Sequence, residues 1–164
     1  MQPPDSLHLR AAQGWLELGS VEEAKGELGN LSESSRNHPD VLELRWAICA
    51  AERKWESALE LAEALIKTDP EEAAGWVHRS YALHELKRTQ EARDNLLKVV
   101  DKFGDSPTIR YNLACYECQL GNLEEARQWL ERAFRLGDRK RMKPAALQDL
   151  DLKPLWSEIK GREI

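Results

Sequence analysis

The residues that most resemble a chemical site are two cysteines three positions apart, in the string Cys115-Tyr116-Glu117-Cys118. Residues three apart share a face of a helix, so both thiols could face one groove, with His84 as a further ligand of a type that zinc accepts. The motif lacks the second Cys or His pair of a zinc module. It also lies in the middle of a predicted helix, not at the N-terminus that lowers a thiol pKa. The pattern therefore favours small residues that line or pack beside a groove, and we expect no metal or other cofactor.

The other reactive side chains form no catalytic set. The four histidines make no HExxH motif, and no serine lies in a GxSxG motif. Asp149 and Asp151 are paired carboxylates, but their turn-rich surroundings favour helix caps. The basic cluster at 139–143 could contact phosphate, although the helix dipole also favours cations after a helix C-terminus. We predict that the protein is not an enzyme.

Composition narrows the class of protein. The 164 residues are 41% hydrophobic, which is enough for one domain with a sizeable core. No apolar run approaches the roughly 18 residues of a membrane span, and the N-terminal segment lacks a signal-peptide pattern. Three cysteines, an odd number, fit a reducing compartment. We expect a cytoplasmic protein without membrane insertion, and the net charge of −5 argues against nucleic-acid binding.

The sequence repeats with a period of 34 residues. Ala24, Ala58, Ala92 and Ala126 follow one another at intervals of 34. Around the last of them, apolar stripes on either side of Gly121-Asn122 predict a helical hairpin with small residues where its helices cross. One hairpin cannot bury its own apolar face, so copies are expected. Counting gives four units, at 5–38, 39–72, 73–106 and 107–140.

This period resembles that of the tetratricopeptide repeat (TPR) family over residues 5–140. In the fourth unit the matching residues are Leu113, Ala114, Gly121, Ala126, Leu130 and Ala133. The strings YNLACYECQLG and DLDLKPLW are similar to those of bacterial members. The resemblance implies an all-α fold, an α-solenoid of four helix-turn-helix repeats plus a C-terminal capping segment at 141–164. All of it is expected to form a single domain, 1–164.

Two positions depart from the repeat pattern. Trp46 occupies a place that holds a small residue in the other units, so a helix must shift or the ring must find a gap. A polar pair, Lys87-Arg88, replaces glycine in the third turn.

The tail breaks the period but stays rich in apolar residues. Because repeat arrays need an atypical terminal element, we predict one or two short helices at 144–159 that cover the second helix of the fourth unit. The alternative is a free amphipathic helix that binds a partner.

The family resemblance also implies a binding surface. In such repeats the first helices line a concave groove that holds a peptide. The predicted groove residues are Leu9, Gln13, Leu44, Ala47, Val77, His78, Tyr81, His84, Tyr111, Asn112, Cys115 and Cys118. Tyr81 and Tyr111 are its expected centre because tyrosine is favoured at binding hot spots, although either could instead pack between helices. The family's Lys/Asn/Arg clamp for a peptide carboxylate is absent, which argues against a co-chaperone role.

Three functions compete at this point. The first is an interaction scaffold that binds a peptide segment of a partner protein. The second is self-assembly into homo-oligomers, because residues 5–72 carry a net charge of −8 and residues 73–164 one of +3. The third is a metal- or redox-linked protein that uses Cys115 and Cys118.

Overall fold

The structure, a computed structural model, describes residues 1–161 and 164, and its regular elements are all helical. The α-helices are α1 Asp5–Glu17, α2 Val21–Gly29, α3 Pro39–Ala51, α4 Trp55–Thr68, α5 Ala73–Glu85, α6 Thr89–Leu97, α7 Pro107–Gln119, α8 Leu123–Leu136, α9 Arg139–Ala146 and α10 Trp156–Gly161. Two 3-10 helices, Glu33–Ser35 and Leu150–Leu155, complete the set. The predicted all-α fold class is confirmed.

Helix starts follow local sequence signals. The Ser106 hydroxyl accepts a hydrogen bond from the backbone N–H of Ile109, and Pro107 takes the first position of α7. Proline suits that position because its missing N–H would have no partner there. In the same way His38 precedes Pro39, and its ring accepts from the N–H of Asp40.

The turns between paired helices repeat with the same 34-residue period. Gly19, Arg53, Lys87 and Gly121 have positive φ, at 79°, 58°, 64° and 83°. The residue after each one donates its N–H to the carbonyl five positions earlier, as in the 2.9 Å bond from Asn122 to Glu117. This is the Schellman helix end, in which glycine is usual at the left-handed position. Arg53 and Lys87 adopt that conformation without glycine's freedom.

The same 34-residue period recurs among the buried residues. Ala24, Ala58, Ala92 and Ala126 are all fully buried. The helices of the hairpins α1–α2, α3–α4 and α7–α8 pack against each other. A methyl group at these places allows the close approach that the sequence predicts.

Contacts divide the chain into two compact units, Met1–Ala82 (unit 1) and Leu83–Ile164 (unit 2). Unit 1 has an apolar core from α1, α2 and α3 that includes Leu9, Leu44 and Ile48. The single domain and the four repeat boundaries predicted from the sequence stay predictions.

Unit 2 ends in a buried C-terminal segment. Leu152, Leu155 and Ile159 have no exposed surface. The 3-10 helix Leu150–Leu155 packs against both α7 and α8, α9 packs against α8, and α10 contacts the 3-10 helix. The Trp156 indole donates to the carbonyl oxygens of Ala146 and Asp149 at 2.9 and 3.2 Å. The expected capping segment is present, and it covers the first helix of the last hairpin as well as the second.

Candidate functional site

Four rings from α3, α4 and α5 form an aromatic cluster in unit 1: Trp46, Trp55, His78 and Tyr81. The Trp46 and His78 rings are stacked, with centroids 3.9 Å apart and an interplanar angle of 14°. The Tyr81 ring lies edge-on to Trp46 at 6.1 Å and tilted against Trp55 at 5.7 Å. Trp46 thus finds room for its large ring by stacking on α5. Tyr81 keeps 41% of its surface exposed, so the cluster is accessible from solvent.

A cavity of about 300 Å³ opens beside this cluster, and we call it the Trp46 cavity. Its lining residues are Gln13, Asp40, Glu43, Leu44, Trp46, Ala47 and His78. Leu44, Trp46 and Ala47 are its apolar lining residues. Within the described part of the chain the indole nitrogen of Trp46 is shielded from water and has no hydrogen-bond partner.

The surroundings of the Trp46 cavity are acidic. Asp40 and Glu43 also line a neighbouring cavity of about 220 Å³, to which Asp69 and Glu72 contribute. Among the residues that the structure describes, no Lys or Arg lines either cavity. Partial burial, and then the charges of Asp40 and Glu72, raise the pKa of Glu43, which is still an exposed residue. Negative charge therefore accumulates along the walls of these two cavities.

His78 adds no positive charge to this region. Burial lowers the pKa of its imidazole from 6.5 to about 4, so the ring is neutral at pH 7. One face of its ring is stacked on Trp46.

In unit 2 the predicted groove residues contact the chain's own C-terminal segment. Tyr111 donates its hydroxyl to Asp149 Oδ2 at 2.9 Å, and the Cys115 thiol donates to the same oxygen at 3.6 Å. His84 Nε2 lies 3.0 Å from Asp151 Oδ2. The Gln119 amide donates to the backbone carbonyl of Asp151 at 3.0 Å. Residues 149–151 therefore cover this face.

A basic cavity of about 750 Å³ lies elsewhere in unit 2. Four cations, Arg139, Lys140, Lys143 and Lys160, line it together with Pro144 and Leu147. The ammonium of Lys143 donates to the backbone carbonyl oxygen of Ile164 at 3.2 Å. The charge of this cavity is opposite to that around Glu43.

Comparison with known proteins identifies the repeat. The tetratricopeptide repeat model matches residues 50–107 and 88–139, which together span more than half of the chain. The chain belongs to the tetratricopeptide repeat family. No curated protein matches it in sequence.

Solved TPR structures share the fold at low sequence identity. A thermophilic TPR protein of Thermus thermophilus has a TM-score of 0.72 and 19% identity, over 96% of this chain and 81% of that one. MamA of strain MSR-1 has a TM-score of 0.66 and 18% identity, over 83% and 78%. MamA from Desulfovibrio magneticus RS-1 has a TM-score of 0.53 and 17% identity, over 85% and 98%. At these identities the likeness concerns the fold alone.

The TPR groove residues predicted from the sequence have different environments. Gln13 and Tyr81 are exposed, and Ala47, Val77, His78, Tyr111 and Asn112 are half-buried. Leu9, Leu44, His84, Cys115 and Cys118 are buried, which leaves them little surface for a partner. The structure brings Gln13, Leu44, Ala47 and His78 together around one cavity. The assignment of a peptide groove to these twelve residues stays a prediction.

Sequence reasoning did not include Trp46 or Trp55 among the site residues. Trp46 breaks the TPR preference for a small side chain, and that departure was the available signal. A large ring at this position prevents close packing of the helices, so it needs either another role or a gap that holds it. The Trp46 ring occupies a gap next to His78.

The two cysteines of the C-x-x-C string are poorly suited to thiolate chemistry. Burial and then the charges of Asp149 and Asp151 raise the pKa of the Cys115 thiol well above its usual value. Burial, with the same two carboxylates, raises the pKa of Cys118 to about 11. In the described ranges, 1–161 and 164, no group of three or more His, Cys, Asp or Glu side chains is arranged to hold a metal ion.

A helix that crosses a bilayer needs about 20 predominantly apolar residues. None among the described residues is both long and apolar enough to cross a bilayer.

Proposed function

We propose that this TPR protein is a non-enzymatic scaffold that binds a peptide segment of a partner protein at the aromatic cluster of unit 1. The observation that carries the proposal is the exposure of Tyr81 beside the Trp46 cavity. Tyrosine and tryptophan supply large contact areas at a small cost in side-chain entropy, which is why they are enriched where proteins bind one another. Membership of a repeat family with protein partners supports the same function.

The contrast with unit 2 supports this choice of surface. Tyr111 is only half-buried, yet its hydroxyl is already engaged by Asp149. A peptide at Tyr111 would have to displace the segment that includes Leu152 and Leu155, whose side chains are fully buried. At Tyr81, by comparison, 41% of the surface is exposed.

The raised thiol pKa values argue against the redox alternative. The thiolate is the nucleophilic form of cysteine, and Cys118 with a pKa of about 11 is almost wholly protonated at pH 7. The proposal also includes the absence of an enzymatic role and a bacterial, cytoplasmic setting.

Selection from a displayed library of random peptides tests the scaffold function. We expect the intact protein to enrich a family of peptides, and the Tyr81→Ala and Trp55→Ala variants to lose most of their binding while circular dichroism stays unchanged. Trp15→Ala is the matched control, since Trp15 is a 39% exposed ring on α1 outside the cluster. No enrichment by the wild-type protein, or equal enrichment by the Tyr81→Ala variant, would refute the proposal.

Self-assembly is the second candidate, and the opposite charges of two cavities favour it. The acidic residues around Glu43 could meet the basic cavity at Lys140 in another copy. Sedimentation velocity over a wide range of concentrations tests this. Association that weakens with added salt supports self-assembly, and a monomer throughout excludes it.

A further inference from the structure

The Trp46 cavity combines two features that together select a ligand. One is the stacked pair of Trp46 and His78, both of which line the cavity, and an aromatic ring carries the negative end of its quadrupole on its face. The other is the Glu43 carboxylate at the edge of the cavity, which has no cation within ion-pair distance in the described part of the chain. Asp40, the second carboxylate, lies 3.6 Å from His38 Nδ1.

We propose that the Trp46 cavity receives the cationic side chain of an arginine or lysine in the bound peptide. This inference rests on the proposed scaffold function and specifies the partner as a peptide with a basic residue.

The dimensions fit one long side chain. A volume of about 300 Å³ is at the lower limit of roughly 300–1,000 Å³ for small-molecule sites, so the cavity is small for a cofactor. The apolar stem of arginine or lysine can lie against Leu44 and Ala47, which line the cavity. The charged end then reaches the carboxylates of Glu43 and Asp40.

Arginine is the better match. Its planar guanidinium can stack on an aromatic face and donate two parallel hydrogen bonds to one carboxylate. Trp46 offers the ring, Glu43 the carboxylate, and Gln13 an amide oxygen as a further acceptor. The lysine ammonium carries the same charge in a compact group, but it cannot donate two parallel hydrogen bonds to one carboxylate.

The local electrostatics favour a cation over a neutral group. The raised pKa of Glu43 reflects lost hydration and repulsion from Asp40 and Glu72, both of which an incoming positive charge would offset. His78 is neutral at pH 7 and does not oppose it. An acidic peptide would add to the repulsion, so this site selects against it.

Titration with Nα-acetyl-arginine amide, followed through the indole N–H signal of Trp46 by NMR, tests the site directly. We expect a saturable shift with this probe and a much weaker one with Nα-acetyl-citrulline amide, which has the same shape without the charge. Glu43→Gln should weaken binding by about tenfold, which corresponds to about 1.4 kcal/mol. Glu60→Gln is the control, because Glu60 is exposed on α4 and lines neither cavity. Equal shifts with both probes, or full binding by the Glu43→Gln variant, would overturn the inference.

The random-peptide selection separates this inference from the function on which it rests. Enriched peptides that share a basic residue, with the preference lost in the Glu43→Gln variant, support both. Peptides that bind without a basic residue leave the scaffold function standing and refute the cationic site. Failure to enrich any peptide refutes the scaffold function itself.

A second copy of the chain could supply the cation through its basic cluster at 139–143. In that case self-association would occur without any peptide and would disappear in the Glu43→Gln variant. That outcome would overturn the assignment of the cavity to a separate partner. Retention of a monomer in both proteins, together with arginine binding, supports it.

Discussion

The indole of Trp46 and the imidazole of His78 lie face to face, 3.9 Å between ring centroids and 14° from parallel. The contact joins α3 to α5 within unit 1. It places an aromatic surface where the TPR pattern expects a small side chain. One consequence is electrostatic, since burial beside this ring lowers the pKa of His78 and keeps it neutral.

Stability should fall on acidification because of His78. Its pKa is about 4 in the folded protein against 6.5 for the ordinary imidazole, so the unfolded chain binds more protons between these values. The free energy of unfolding should therefore be highest above pH 6.5 and fall towards pH 4, by on the order of 1–3 kcal/mol. Urea titrations at several pH values measure it.

His78→Phe is the control for this effect, since phenylalanine keeps a ring against Trp46 but cannot titrate. Glu43 and Asp40 line the same cavity, and the raised pKa of Glu43 acts in the opposite direction, so only the difference between variant and wild type isolates His78. Identical pH profiles for the two proteins would show that His78 is accessible to protons.

The turn residues with positive φ give a second prediction. Arg53→Gly and Lys87→Gly should each raise the free energy of unfolding by about 1 kcal/mol, because glycine adopts the left-handed conformation without the clash of a Cβ atom. The reciprocal change, Gly121→Ala, should lower it by a similar amount. Nothing lies within 4 Å of a Cβ atom built at Gly121, so crowding does not confuse the result. Thermal melts of the three variants check the signs, and a lower midpoint for both glycine variants would contradict the role of the turn.

The buried alanines give a third prediction. Ala92→Leu and Ala126→Leu should each cost roughly 1–3 kcal/mol, since a well-packed helix crossing has no room for the added atoms. Ala145→Leu is the matched control at an exposed position. Chemical denaturation measures the loss, and unchanged midpoints in both buried variants would contradict the hairpin packing.

The fold was largely predictable because its signals are local and repeated. Alanine every 34 residues, a glycine in two of the turns and proline at two helix starts are visible along the chain, and all occupy the expected positions. The 34-residue period also identifies the third turn, which has no glycine. Lys87 lies 34 residues before Gly121 and has a positive φ like it.

The candidate site was less predictable because it depends on long-range contacts. Tyr111 and Cys115 have groove-lining positions on α7, but nothing local indicates that Asp149 would return to bond with them from 38 and 34 residues further along. Trp46 is informative for the opposite reason. Its departure from the repeat was visible, yet its partner His78 could be identified only from the packing of α3 and α5.

Two leucines of the C-terminal segment give a fourth prediction. Leu152→Ala should cost about 2–5 kcal/mol because it leaves a cavity between the segment and the last hairpin. Leu150→Ala is the control, since Leu150 is 72% exposed and only two residues away. If the two variants were equally stable by chemical denaturation, the segment would be only loosely attached.

The three cysteine thiols give a fifth prediction. Ellman's reagent should modify Cys49 first, because Cys49 is half-buried whereas Cys115 and Cys118 are buried. The other two should react only as the protein unfolds. Comparison with a Cys49→Ser variant assigns the fast phase, and rapid reaction of that variant would reopen the redox hypothesis.

The bonds from Tyr111 to Asp149 and from His84 to Asp151 also determine where this array can grow. An additional repeat spliced in after residue 140 would bring its first helix towards a surface that the 149–155 segment already occupies, and the two would compete. A duplicated copy of residues 39–72 inserted further upstream would leave that segment in place. Lengthening by tandem duplication should therefore be tolerated in the interior of the chain and rejected at its C-terminal side.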